Sequence, residues 1–249
     1  MSVKTTRQQT HKTSYTGVFV LWYNIQVKLV IGVPSPENIP VKFTHNLIDI
    51  MFTTQREVKG LERLDFVYAT GVRTDKNRNV IIDKVLNEDF THILWLDADM
   101  IYPADIVKTY LNVSPEPDII GCLYFKRAYP YDPIGYVKNE EYDPIKPFRY
   151  IDPNLVPDNS ALIVDGLGFG GVLINLDVYR KMGEDKWMNY GSGFHLPHKN
   201  ENALTHDLVF CRKAQEYGYK ILLHTGVRPS HLMTKEVTIE DWKEANATL

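Results

Sequence analysis

The stretch THILWLDADMIYP, residues 91–103, joins an apolar run to two aspartates that are one residue apart. The run HILWL predicts a buried strand over His92–Leu96, and Asp97 and Asp99 follow it directly. If the backbone turns at Ala98, both carboxylates can approach one divalent cation. Mg²⁺ is commonly bound in proteins by one or two carboxylates together with substrate phosphates. The spacing is explained equally well by a strand-end turn that carries two solvated acids.

Strand and helix patterns alternate outward from this stretch through the first half of the chain. Short apolar runs predict further strands over Val27–Val33, Leu64–Thr70 and Asp118–Leu123. Apolar residues at helical spacing predict helices over Pro40–Lys59, Asn77–Asn87 and Pro103–Asn112. The resulting βαβαβαβ order is typical of a parallel sheet covered by helices. Ligands of such sheets bind beyond the carboxyl ends of the strands, which are Pro34–Pro36, Gly71–Asp75 and Asp97–Asp99.

The second half of the chain has a different pattern. Residues 123–158 are rich in tyrosine and proline, which predicts loops and edge strands rather than helices. The glycine run Gly166–Gly171 has neither the position of a dinucleotide fingerprint nor the lysine of a phosphate-binding loop. The other predicted elements are strands over Leu162–Asp165, Val172–Asn175 and Tyr219–Leu223, a helical turn over Asp177–Met182, a lid over Gly183–Asn202, a helix over Ala203–Tyr217 and a final helix near Ile239–Ala247.

Composition and charge exclude several classes of protein. The 249 residues include 28 Lys and Arg against 31 Asp and Glu, and the net charge of -3 argues against a general polyanion binder. Cys122 and Cys211 cannot form a disulfide framework, so we expect a reducing compartment, the cytoplasm (that of the host if the protein is viral). The most apolar stretch, Gly17–Val33, is interrupted by polar residues and is not expected to span a membrane.

Three further groups of residues are candidates for a site. Asp207 lies near the predicted start of a helix, where it is either a capping residue or a general base that takes a proton from a hydroxyl. His231 is a candidate metal ligand only if other ligating side chains lie beside it. An Asp/Asp/His set suits Mn²⁺ at least as well as Mg²⁺, because imidazole is a softer ligand. Arg78, with Arg73 and Lys76, either meets phosphates or belongs to a solvated basic loop.

Taken in chain order, these pieces resemble a GT-A glycosyltransferase of the family-2-like type, closest to the compact versions common in bacteriophage and bacterial genomes. VIGVPSPENIP, residues 30–40, is similar to the nucleotide-binding start of that family, and THILWLDADMIYP resembles the strand that delivers its Asp-x-Asp metal motif. The other matching segments are Arg78-Asn79, IIGCLYFKRAYPYDPIGY (119–136), DGLGFGGVLINLDVY (165–179) and THDLVFCRKAQEYGYKILLHTGVRPSHL (205–232). The resemblance covers roughly Lys28 to Leu232.

The resemblance implies the domain organisation. It predicts an α/β fold, a single Rossmann-like GT-A domain with a mixed, mostly parallel central sheet flanked by helices. That domain spans residues 27–249, with a nucleotide-binding half over 27–122 and an acceptor half over 123–249. Residues 1–26 are expected to be an N-terminal extension.

On the donor side, the resemblance implies a ligand set for the metal and the nucleotide. Asp97 is expected to contact the donor ribose or the metal, and Asp99 and His231 are expected to bind a Mn²⁺ or Mg²⁺ ion that bridges the diphosphate. The residues expected at the nucleotide are Pro34, Arg78, Asn79 and Asp97.

On the acceptor side, the resemblance implies a catalytic base. Asp207 matches the second acid of the family's Glu-Asp pair, which is the usual base of inverting members. His206 stands where the family usually has glutamate, and this departure puts the hydrogen bonding of the pair in question. His206 can still orient Asp207 or share a proton with it.

The expected function is that of a metal-dependent, inverting, hexosyltransferase-like enzyme. It moves a sugar from a nucleotide-diphosphate sugar, UDP-sugar by default, to the hydroxyl of a glycan, a lipid, a protein or a modified DNA base. One alternative is a sugar nucleotidyltransferase, although VPSPENIP lacks the glycine-rich, basic phosphate loop of those enzymes. Another is a catalytically degenerate relative that binds glycan, which the departure at His206 motivates. The sequence leaves the acceptor and the oligomeric state open.

Overall fold

The computed structural model describes residues 26–71, 73–139, 147–183, 188, 204–233 and 239. Five helices lie in these residues: α1 (Val41–Glu57), α2 (Thr74–Val85), α3 (Ile106–Leu111), α4 (Leu176–Met182) and α5 (His206–Glu216). The strands are β1 (Val27–Ser35), β2 (Leu61–Thr70), β3 (His92–Trp95), β4 (Met100–Ile101), β5 (Ile119–Cys122), β6 (Tyr136–Lys138), β7 (Phe148–Tyr150), β8 (Ala161–Val164), β9 (Val172–Asn175), β10 (Ile221–His224) and β11 (Ser230–His231). None of the helices described is both long enough and apolar enough to cross a membrane.

A seven-stranded sheet in the order β2-β1-β3-β9-β5-β10-β8 forms the centre of the fold. Strands β2, β1, β3, β5 and β10 point the same way, while β9 and β8 run antiparallel to their neighbours. The expected class is confirmed in its architecture: an α/β domain with a mixed, mostly parallel central sheet that is flanked by helices. Strands β1, β2, β3 and β5 of the first half are parallel to one another, as the alternation predicts, but β3 and β5 are not adjacent in the sheet. Strand β9, contributed by the second half, pairs with both β3 and β5 and separates them.

Helices cover both faces of the sheet. On one face, α2, α4 and α5 pack against strand residues such as Ile93 and Ile174. On the other, α1 and α3 pack against the alternate residues, such as Leu94 and Leu173. Successive side chains of a strand point to opposite faces, so a strand covered on both sides must be apolar throughout. This explains why the runs that predict strands are continuous rather than alternating.

Most predicted elements are present with shifted ends. Strand β1 was expected to stop at Val33, but it continues through Ser35 because β2 runs alongside it to Thr70. The helix predicted to begin at Pro103 begins at Ile106, whose N–H donates to the carbonyl of Pro103 (3.2 Å) and closes a turn before the helix.

Three predicted segments fall largely outside the described residues. They are the N-terminal extension, the lid and the final helix, of which the structure describes only residues 26, 183, 188 and 239. The helix predicted over Ala203–Tyr217 is α5, which begins at His206 after the N-cap residue Thr205. It ends before Gly218, which has a φ of 88°, a conformation that favours glycine.

Candidate active site

Asp97 follows β3 in the middle of the sheet. The preceding Leu96 N–H still donates to the carbonyl of Gly32 on β1 (3.1 Å). The Tyr102 hydroxyl accepts a hydrogen bond from the Asp97 N–H (2.8 Å) and donates one to the Asp97 carbonyl (3.2 Å). Tyr102 is itself held by Asn46 on α1, which makes hydrogen bonds of 2.7 and 2.8 Å to its backbone. The backbone of Asp97 is therefore fixed by two further elements of the fold.

The predicted glycine run passes directly beside Asp97. A Cβ on Gly170 would lie 3.2 Å from Asp97 Oδ2 and 2.7 Å from Met100 Sδ. The Gly170 N–H donates to the hydroxyl of Tyr124 (3.3 Å), and a Cβ on Gly168 would clash with the same hydroxyl. Glycine is required here because the backbone comes too near these side chains to leave room for a Cβ.

A buried arginine links the two halves of the chain at this point. Arg78 on α2 is 1% exposed. Its Nη2 donates to Asp97 Oδ1 (2.7 Å) and its Nη1 donates to Asp207 Oδ1 (2.9 Å). The guanidinium also lies over the ring of Phe169, 5.3 Å from its centroid. An arginine can satisfy two carboxylates at once because its donors form a rigid, planar fork.

These contacts decide between the alternatives that the sequence left open. Arg78 does not belong to a solvated loop, whereas Arg73 and Lys76 are exposed. Asp207 lies in the first turn of α5, but its carboxylate bonds to Arg78 and accepts from the backbone N–H of Phe169. Asp207 is thus part of a charged cluster with Asp97 rather than simply a capping residue.

His206 completes the cluster. Its Nε2 lies 2.6 Å from Arg78 Nη1 and 2.8 Å from Asp207 Oδ1. A ring nitrogen can accept from the arginine when it is unprotonated, or donate to the carboxylate when it is protonated, but it cannot do both. His206 Nε2 is therefore within hydrogen-bonding distance of both the guanidinium and the carboxylate. That His206 orients Asp207 or shares a proton with it stays a prediction.

The two carboxylates on Arg78 differ in pKa. Burial raises the pKa of Asp97, and the charge of Arg78 opposes this effect only in part. Burial acts in the same direction on Asp207, but His206 and Arg78 together outweigh it and lower the pKa of that carboxyl below its ordinary value. Asp207 is consequently ionised at neutral pH, whereas Asp97 takes up a proton more readily.

His231 lies on β11, which pairs with β4, and Asp99 directly precedes β4. His231 pairs with Met100, and the Leu232 N–H donates to the Asp99 carbonyl (2.7 Å). His231 Nδ1 lies 2.6 Å from the carbonyl oxygen of Phe125. A carbonyl can only accept, so Nδ1 carries a proton, and Nε2 is the ring nitrogen whose lone pair can bind a metal. This arrangement is common among histidines that bind metals.

The donor chemistry of these residues fits a divalent cation, with partly exposed carboxylates and a correctly oriented imidazole. They are not drawn together around one point, however. Among the residues that the structure describes, no three His, Cys, Asp or Glu side chains form a group that could hold a metal ion. Asp99 is instead paired with Arg127, at 3.0 Å between Oδ2 and Nη1.

Two residues expected at the nucleotide occupy buried positions. Pro34 lies on β1 opposite Ala69. Asn79 is 7% exposed, and its side-chain amide donates to the Met188 carbonyl (3.1 Å) and accepts from the Met188 N–H (2.7 Å). Both of these hydrogen bonds bring residue 188 against α2. Contact of Pro34 or Asn79 with a nucleotide stays a prediction.

Sequence reasoning missed the side chains that position this site. Tyr102 and Asn46 hold the backbone of Asp97, and Arg127 pairs with Asp99. Tyr102 and Arg127 lie inside the segments 91–103 and 119–136, but the sequence assigned neither of them a role in the site. Only Tyr102 gave a possible signal, because a polar aromatic residue shortly after two aspartates is within reach of the same turn. The contacts of Asn46 and Arg127 depend on packing between segments that are distant along the chain.

Comparison with known proteins shows the fold alone. No family model matches the chain, and no curated protein matches it in sequence. Among solved structures, it is similar to A197 from STIV, with a TM-score of 0.53 and 13% identity over 84% of this chain and 87% of that one. GalNAc-T7, solved with UDP, GalNAc and Mn²⁺, has a TM-score of 0.48 and 11% identity over 85% of this chain and 45% of its own. The inositol-1-phosphate CTP transferase from T. maritima has a TM-score of 0.46 and 10% identity over 88% and 97% of the two chains.

Proposed function

We propose that this protein is a metal-dependent, inverting glycosyltransferase that transfers a sugar from a nucleotide-diphosphate sugar, UDP-sugar by default, to an acceptor hydroxyl. The observation that carries the proposal is the buried Arg78, which joins Asp97 of the first half to Asp207 of the second. Asp97 and Asp207 were singled out by separate motifs, and the single guanidinium of Arg78 bonds to both of their carboxylates. Further support comes from His231 on β11 and Asp99, which directly precedes the paired strand β4.

In this mechanism Asp207 is the general base. Its side chain is 20% exposed, so a hydroxyl can reach it. Its lowered pKa keeps it in the ionised form that a base requires, although it also weakens the carboxylate as a proton acceptor. Arg78 and the Phe169 N–H hold the carboxylate in place. The deprotonated oxygen attacks the anomeric carbon from the face opposite the leaving nucleoside diphosphate, and the configuration is inverted.

The donor is bound on the other side of Arg78. Asp99 and His231 are the residues that would hold the divalent cation, and Asp97 would contact either the ribose or the cation. The chemistry that a cation would supply there is stabilisation of the negative charge on the leaving diphosphate. Asp97 presents its free oxygen from a fixed backbone, because Tyr102 clamps the peptide groups on both sides.

The decisive experiment measures binding of donor and metal by thermal unfolding. At about 100 times the dissociation constant, a ligand stabilises a protein by about 2.7 kcal/mol, which for this size is roughly 5–10 °C. We expect UDP-sugar to raise the melting temperature by this amount only with Mn²⁺ or Mg²⁺ present, and Asp99→Asn to abolish the increase. Asp83→Asn, which changes an exposed aspartate on α2, is the matched control and should behave as the wild type.

Two outcomes would count against the proposal. If Asp99→Asn keeps the full metal-dependent shift, the cation is held elsewhere or not at all. If the protein releases pyrophosphate from a nucleoside triphosphate and a sugar phosphate, it is a nucleotidyltransferase. Release of nucleoside diphosphate from a nucleotide sugar supports the transferase and argues against a degenerate, glycan-binding relative.

The hydrogen bonds between the Tyr102 hydroxyl and the backbone of Asp97 give a second prediction. Tyr102→Phe removes the hydroxyl that bonds to the Asp97 backbone, and Tyr110→Phe removes an equally buried hydroxyl that donates to the Gly171 carbonyl (2.8 Å). Each change should lower the free energy of unfolding by about 1–2 kcal/mol. Only Tyr102→Phe should also weaken donor binding, measured by calorimetry at saturating Mn²⁺, because only that variant frees Asp97. Equal donor affinity in the two variants would show that the clamp is purely structural.

A further inference from the structure

A short arm of the chain contacts two of the three proposed metal ligands. The arm, residues 124–134, folds back on itself: the Ile134 N–H donates to the Tyr124 carbonyl (2.7 Å), and the Lys126 N–H donates to the Asp132 carbonyl (2.9 Å). The Tyr131 N–H donates to the Ala128 carbonyl (2.8 Å) and closes the turn at its tip. The arm is therefore an ordered, hydrogen-bonded feature of the fold beside the candidate active site.

Two residues of the arm contact different proposed metal ligands. The carbonyl of Phe125 accepts a hydrogen bond from His231 Nδ1 and so orients the imidazole. Two positions later, Arg127 places Nη1 3.0 Å from Asp99 Oδ2. The same arm thus orients the imidazole of His231 and neutralises the charge of Asp99.

The pair between Arg127 and Asp99 differs sharply from the buried cluster around Arg78. The side chains of Arg127 and Asp99 are 56% and 38% exposed, whereas that of Arg78 is 2% exposed and bonded to two carboxylates. Ion pairs at such exposure contribute little to stability and exchange readily with water. Arg78 is fixed, but the Arg127 side chain can leave Asp99 while the backbone of the arm stays in place.

We propose that Arg127 is a counter-ion that a divalent cation displaces from Asp99, and that the released guanidinium then binds the diphosphate of the donor. This inference rests on the function proposed above. The guanidinium on Asp99 Oδ2 blocks coordination through that oxygen and repels a cation at the other one, so binding of the cation favours release of Arg127. Once free, the planar fork of Arg127 suits phosphate oxygens, which it binds through two parallel hydrogen bonds.

The two steps predict effects of opposite sign for Arg127→Gln. Binding of Mn²⁺ alone, followed by electron paramagnetic resonance, should become roughly three- to fivefold tighter because the competing charge is gone. Binding of UDP to the Mn²⁺-saturated protein, measured by calorimetry, should become roughly tenfold weaker because a charged hydrogen-bond donor to phosphate is lost. Arg212→Gln on α5 removes an arginine of similar exposure that also faces a carboxylate, and it should change neither affinity.

The possible results separate this inference from the function on which it rests. Weaker or unchanged Mn²⁺ binding in Arg127→Gln would overturn the exchange, and unchanged UDP binding would overturn the diphosphate contact. If instead the wild type binds no Mn²⁺, or Asp99→Asn binds it as well as the wild type, the metal site itself is wrong. Because Arg127 is exposed, the variant is expected to fold, and an unchanged melting temperature without ligands checks this.

Discussion

Asp207→Asn should lower the rate of nucleoside diphosphate release from a nucleotide sugar by about 10²–10⁴-fold, the usual contribution of a general base. The asparagine has the same shape and can still accept the hydrogen bond from Arg78 Nη1 (2.9 Å), so the site stays assembled. It cannot take a proton from an attacking hydroxyl or water. Hydrolysis of the donor is a sufficient assay, because water can replace the unidentified acceptor.

The pH dependence of the rate of nucleoside diphosphate release gives a sharper test of Asp207 as the base. His206 and Arg78 outweigh the effect of burial and lower the pKa of Asp207, so the base is already ionised well below neutral pH. Raising the pH from 7 to 9 should therefore neither increase the wild-type rate through Asp207 nor rescue Asp207→Asn. Donor binding with Mn²⁺, measured by thermal unfolding, should be nearly unchanged in the variant. A variant that retains more than a tenth of the wild-type rate would rule out Asp207 as the base.

The histidine beside the base bears on whether the protein is catalytically active. His206 replaces the glutamate usual in the family that the sequence resembles, and a degenerate site was one explanation. In the structure, however, His206 Nε2 lies 2.8 Å from Asp207 Oδ1, within hydrogen-bonding distance of the base. A positive or donating neighbour favours the ionised form of a carboxylate. The replacement is therefore compatible with an ionised carboxylate at Asp207.

The sequence predicted the elements well because buried strands and amphipathic helices leave local patterns. It could not predict that β9 inserts between β3 and β5, because nothing local in Val172–Asn175 specifies its neighbours in the sheet. The candidate site shows the same limit. Asp97 and Asp207 each belong to a local motif, but Arg78 is 19 residues from one and 129 from the other. A contact over such separations is set by the packing of α2 and α5 on the sheet, which no window of sequence contains.

Arg78→Met should be the most destabilising of the changes considered. It would leave Asp97 and Asp207 facing each other without their shared cation, in a site where Arg78 is 1% exposed. Removing one partner of a buried ion pair costs about 3–5 kcal/mol, because the remaining charge is not compensated. For a chain of this size that is a fall in melting temperature of about 6–20 °C. Arg78→Lys keeps the positive charge but not the planar fork of donors, so its melting temperature should lie between those of the wild type and Arg78→Met.

A double-mutant cycle shows whether the lower stability of Arg78→Met comes from the uncompensated charges or from lost packing. If uncompensated carboxylates cause it, then adding Asp207→Asn to Arg78→Met should restore part of the melting temperature, although each change alone lowers it. If Arg78→Met destabilises only because a large side chain is lost from beside Phe169, the two effects should add. A melting temperature for Arg78→Met equal to that of the wild type would mean that Arg78 does not bridge the carboxylates in solution. The proposed function would then lose the contact that brings its donor-side and acceptor-side residues together.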